Sequence, residues 1–126
     1  MDVYPSLTYR DVRAAAEWLA NAFGLEPRNM ELSNADEIPH AELVYGQGVV
    51  LVQEERPAEL HGSHAGKGWI YVTVNDVDNH YERAKAAGAP VLNEPHGSAA
   101  NGGMRGYSTR DLEGNLWTFG TVRPQP

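Results

Sequence analysis

The chain has 126 residues, no cysteine, and 17 acidic against 10 basic side chains, for a formal net charge of −7. That length suits one domain or two half-size modules sharing a core, with roughly two thirds of the unfolded surface buried, and a 41% hydrophobic share argues against global disorder. Without cysteine there are no disulfides, thiolate nucleophiles or cysteine-based metal sites, so a metal has to sit on His, Asp or Glu, and the acidic balance repels nucleic-acid phosphates.

In chain order, the opening MDVYPSL lacks a basic stretch followed by an apolar one, and the longest apolar run, Val49 to Val52, is too short to cross a bilayer. The expectation is a cytoplasmic protein with neither nucleic acid nor membrane as a partner. Alternation from Tyr4 to Arg10 predicts a strand, and Val12, Ala16, Leu19 and Phe23 then recur at helical spacing. Asp11 suits the helix N-cap because its carboxylate accepts from first-turn amides, and Gly24 suits a left-handed end. His40 to Tyr45 and Val49 to Gln53 read as a hairpin turning at Gly46-Gln47-Gly48. A polar connector, Glu54 to Gly68, precedes a second alternating strand, Trp69 to Val74, and a second Asp-capped helix from Asp76 to Gly88. Val91-Leu92 reads as a short strand, Pro95 to Gly103 as a flexible lip, and Met104 to Arg110 with Asn115 to Thr121 as a closing hairpin.

The order repeats. A shift of 65 residues lays Asp11-Val12 on Asp76-Val77 and His40 on Arg105, so the chain is a β-α-β-β-β unit written twice. The expected fold is α+β: two βαβββ modules pairing into a cupped, barrel-like mixed sheet with helices outside. Module one covers about 1–54, a connector 55–67 and module two about 68–126, together one domain. Because strand side chains alternate, Ile70, Val72 and Val74 suit the helix-covered side and Trp69, Tyr71 and Thr73 the hollow. The same logic puts Tyr4, Ser6 and Thr8, then His40 and Glu42, then Arg105, Tyr107 and Thr109, on the hollow face. A slip of one residue inverts any of these assignments.

The paired order, the segment His40-Ala41-Glu42-Leu43, and the ending Gly103-Met104-Arg105-Gly106-Tyr107 to Asp111-Leu112-Glu113-Gly114-Asn115-Leu116-Trp117-Thr118-Phe119-Gly120-Thr121 resemble the vicinal oxygen chelate superfamily, which holds glyoxalases, bleomycin-resistance proteins and extradiol dioxygenases. The resemblance covers nearly the whole chain and implies a homodimer with pockets where modules of both chains meet. In the family's metalloenzymes, ligands sit at the start of each module's first strand and on each module's last strand. Carried over, those slots hold Tyr4, Trp69, about Val52, and Thr118, none of them His, Gln, Asp or Glu. The resemblance is therefore to the metal-free, ligand-sequestering members, with no cofactor expected.

Among candidate site residues, His40 and Glu42 share a strand face roughly 7 Å apart and form either an acid–base or ligand-orienting pair, or a polar pair without catalytic duty. Arg105 either clamps an anionic group or pairs internally with Glu42, the second being favoured. Trp69 and Tyr71 are expected to carry binding, with Tyr4, Tyr107 and Thr118 beside them; Trp18, Trp117 and Phe119 are expected to pack. His61 and His64 could ligate a metal together but lack a third ligand nearby, His80 reads as packing or solvated, and His96, in the Gly-rich loop, either closes over a ligand or is simply exposed. The leading expectation is a metal-independent protein that binds a small cationic or aromatic molecule, such as an antibiotic, without catalysis. The alternative is a lyase, isomerase or dioxygenase with a metal relocated to His40 and Glu42, and a third possibility is metal-free acid–base catalysis by His40.

Overall fold

The computed structural model describes residues 3–32, 39–55 and 66–124. The expected alternation condenses into β1 (Ser6–Tyr9), β2 (Glu26–Glu31), β3 (His40–Tyr45) and β4 (Gly48–Glu54), and then β5 (Trp69–Thr73), β6 (His96–Gly97), β7 (Arg105–Arg110) and β8 (Leu116–Gly120). Helices α1 (Val12–Phe23) and α2 (Val77–Ala86) follow the first strand of each half. Asp11 and Asp76 cap them as expected, accepting from Ala14 N at 3.1 Å and Asn79 N at 3.0 Å. Gly24 closes α1 at φ +80°, a conformation a side chain resists.

The strands form two four-stranded sheets, β1-β4-β3-β2 and β5-β8-β7-β6, each with one parallel pair and two antiparallel pairs. The α+β class and the repeated module order are as expected, but the sheets do not close into a barrel. Arg28 to Glu31 lie within β2. Val91 makes only an isolated bridge to Thr109, and the outer strand of the second sheet is His96–Gly97 instead. The expected lip is therefore tied to β7 and continues into a short 3-10 turn at Ala100–Gly102.

The halves join through their helix-side faces. Phe23 packs on Trp117 and Phe119 with ring centroids 5.2 and 4.9 Å away, and all three are fully buried. Around them, Leu7, Tyr9, Leu43, Val52, Ile70 and Tyr107 complete a continuous core. Arg83 of α2 donates to Ala20 O and Asn21 O, both at 3.1 Å, satisfying carbonyls at the end of α1 from the other module. Asp111, in the turn before β8, accepts from Tyr9 Oη at 2.5 Å, Trp117 Nε1 at 3.0 Å and Asn115 Nδ2 at 3.2 Å through one oxygen. Its other oxygen takes the Glu113 and Asn115 amides, both at 3.0 Å. Glu113 in the same turn accepts from Arg10 N at 2.7 Å, so one turn of module two holds the approach to α1 in module one.

Candidate functional site

The hollow face of the second sheet is set by register. Tyr71 pairs with Thr118, and Thr118 with Ser108, so Trp69, Tyr71, Thr118, Ser108, Gly106 and Gly120 share one side. Trp69 donates from Nε1 to Thr118 Oγ1 at 3.1 Å, and that hydroxyl lies 2.9 Å from Ser108 Oγ. The indole edge is thereby fixed while the side chain stays 68% exposed. Tyr71 is 36% exposed and donates to Val122 O at 2.6 Å; partial burial pushes its hydroxyl pKa up. These three predicted residues, Trp69, Tyr71 and Thr118, stand together.

The first sheet gives its own row. Ser6 pairs with Leu51 and Leu51 with Glu42, while Thr8, Gln53 and His40 form the next row along the same face. His40 and Glu42 do share a face, with Ala41 and Leu43 buried on the other. Glu42 accepts from Arg28 Nε at 2.8 Å and Asn29 Nδ2 at 2.9 Å, and Arg28 above all, with Asn29, holds its carboxyl below the usual range. Tyr4, 53% exposed, and Tyr71 line an open cleft of about 1010 Å³ at the seam between the start of β1, the β3–β4 turn and the edge strand β5. Asn75 and Arg123 also line it. Arg123 donates to Asn75 Oδ1 at 2.9 Å and Thr73 Oγ1 at 3.3 Å. Trp69 stands outside this cleft, on the adjoining sheet face.

Several expectations need correction. Tyr107 and Thr109 do not face the hollow: both are buried, Tyr107 at 1% exposure, stacked 5.4 Å from Phe119 and 2.7 Å from His80 Nδ1. Burial pushes the Tyr107 hydroxyl pKa well up. The strand is turned over because its large residues fill the core while Gly106 and Ser108 face out. Arg105 therefore reaches the helix side. It grips Asp78 at 2.6 and 2.8 Å and donates to Gly97 O at 3.0 Å, so the favoured pairing with Glu42 is not formed. His80 is buried and bridges the modules, its Nε2 donating to Phe23 O at 2.9 Å. His96 is exposed, and His61 and His64 lie outside the described residues.

One of the four carried-over metal slots also shifts by one place. Val52 is buried on the helix side, and matching Ser6–Leu51 to Tyr71–Thr118 puts Leu51 in that corner. Phenol, indole, hydroxyl and isobutyl groups do not fit a divalent cation, which needs several convergent nitrogen or carboxylate donors. Among the described residues no group of three or more His, Asp or Glu side chains is placed to hold one. Sequence reasoning missed Ser108, Asn75, Arg123 and the Gly106–Gly120 pair. The small residues at alternate positions of β7 were the available signal for its register.

A family model, the Glyoxalase/Bleomycin resistance protein/Dioxygenase superfamily, matches residues 3–119. Among solved structures, TioX from Micromonospora sp. ML1 is 31% identical, with 100% of this chain and 99% of that chain covered and a TM-score of 0.76. Hypothetical protein SA1046 from S. aureus is 25% identical, with 97% of each chain covered and a TM-score of 0.67. A glyoxalase I mutant from Zea mays, 17% identical, shares the fold at a TM-score of 0.73 over 98% of this chain and 45% of its own. No curated protein matches significantly. The match across nearly its full length, on two β-α-β-β-β modules, places this chain in the Glyoxalase/Bleomycin resistance protein/Dioxygenase superfamily.

Proposed function

We propose that the protein is a metal-independent, homodimeric binder of a small aromatic or cationic molecule, sequestering an antibiotic or metabolite without transforming it. The observation that carries this reading is Trp69: a 68% exposed indole, hydrogen-bonded to Thr118, stands at a corner where the resemblance implies a metal ligand. A flat side chain fixed at its edge is a stacking platform that loses little rotamer freedom on binding, and its face attracts cations. Tyr4 and Tyr71 extend the aromatic surface into the adjoining cleft. The net charge of −7 favours a cationic guest. Exposed Leu51, Trp69 and Tyr71 on the two hollow faces are the surface that a second copy would roof over. His40 and Glu42 border the hollow as orienting groups.

Tryptophan fluorescence titration against a panel of cationic aromatic antibiotics tests the reading. Saturable quenching by at least one, lost in Trp69→Ala, is the expected result, and a flat response across the panel removes the support. Sedimentation velocity is expected to show a dimer.

A further inference from the structure

Gly106 and Gly120 face each other directly across β7 and β8, on the side that carries Trp69, Tyr71 and Thr118. The thioether of Met104 lies over them. A methyl group on Gly120 would collide with the Met104 side chain and come within 2.9 Å of Tyr71 Oη, and one on Gly106 would stand 3.0 Å from Met104 Cε. The slot exists because two paired positions have no side chain, and a flexible thioether fills it. The backbone on either side of Met104 is pinned: Arg105 N donates to Thr121 Oγ1 at 3.0 Å, and that hydroxyl donates to Gly103 O at 3.0 Å. The side chain itself is 40% exposed, and Tyr71 Oη approaches its sulfur at a long 3.6 Å. Methionine, unbranched and with three rotatable bonds, leaves such a slot more easily than a branched residue.

We infer that Met104 is a movable stopper over a subsite that takes an apolar substituent, an N-alkyl or O-methyl group, of the flat ligand stacked on Trp69 and Tyr71. The inference rests on the ligand-binding reading above. The ligand's alkyl group replaces the thioether's contacts with Gly106, Gly120 and Tyr71, so Met104 selects among guests of equal ring size and charge.

The test titrates the full chain, Met104→Ala and Met104→Leu with proflavine and with acridine orange, the same tricyclic cation bearing four N-methyl groups. Tryptophan fluorescence and the methionine methyl NMR resonances are read together. In the wild type, acridine orange should move the Met104 methyl resonance more than proflavine does. Met104→Ala should raise the acridine orange to proflavine affinity ratio roughly fifteenfold, the scale of two newly buried methyl groups, and Met104→Leu should return it towards the wild-type value. Dye binding to Met104→Ala alone also supports the stopper. Quenching by both dyes with an unchanged ratio and a still Met104 methyl overturns the stopper and leaves the binding reading standing. No quenching of any of the three proteins by either dye, together with a flat response across the antibiotic panel, overturns both.

Discussion

Asp111 concentrates five donors on one buried carboxyl group, from Tyr9, Trp117 and the turn at Glu113 and Asn115. Removing an acceptor strands its donors, and buried unsatisfied groups cost more than the hydrogen bonds themselves contribute. Asp111→Ala is expected to lose about 3–5 kcal/mol in denaturant unfolding, and Asp111→Asn, which keeps one acceptor oxygen, less. Tyr9 feels the same site: burial first, then Asp111, pushes its hydroxyl far above the ordinary tyrosine value. His80 gives a pH dependence. Phe23 O only accepts, so Nε2 carries the proton and Nδ1 accepts from Tyr107 Oη. Burial depresses the His80 pKa below 6.5, despite the Phe23 hydrogen bond. Below pH 6.5 the unfolded chain then binds more protons than the native state, so this contribution is complete above pH 6.5 and is lost as pH falls through the depressed value. Unfolding midpoints at pH 7.5 and pH 5 should differ more in the wild type than in His80→Gln.

The two helices are legible element by element, because a capping carboxylate, a 3.6-residue apolar stripe and a glycine stop act within one segment. Asp11→Ala and Asp76→Ala should each cost about 1 kcal/mol, measured by thermal or denaturant unfolding. The Asp11 backbone amide also donates to Glu113 of the other module at 3.2 Å, a bond that Asp11→Ala keeps, so the loss there should not exceed that of the cap. Strands were harder. In β5 the aliphatic residues sit on one face, and in β3 Ala41 and Leu43 mark the core opposite His40 and Glu42, so His40, Glu42, Trp69 and Tyr71 fall where alternation puts them. In β7 the sequence Arg-Gly-Tyr-Ser-Thr-Arg carries no aliphatic residue, and period two alone does not say which face is buried. The large residues won the core there because packing against Phe119 and His80 rewards volume.

For the whole molecule, the donor set at the four corners makes a clear forecast. Adding Zn²⁺, Ni²⁺ or Mn²⁺ should leave the melting temperature unchanged and leave no stoichiometric metal after desalting, whereas a native-state ligand raises it by mass action. Joining the modules through Phe23, Trp117, Phe119 and the Arg83 and Asp111 contacts leaves Trp69 and Leu51 exposed on the two hollow faces. Among the described residues no helix is long and apolar enough to cross a membrane.

The sequence by itself determined the repeated module, the helix ends, the β3–β4 hairpin and, through the resemblance, three of the four corner residues, because periodicity, capping and turn chemistry are local and because the repeat reads each half against the other. Tertiary structure alone decided which face of β7 is buried, that Arg105 serves Asp78 and Glu42 serves Arg28, and that Met104 lies across Gly106 and Gly120. Those outcomes are competitions for volume and charge between residues far apart in the chain, and only their meeting in space settles them.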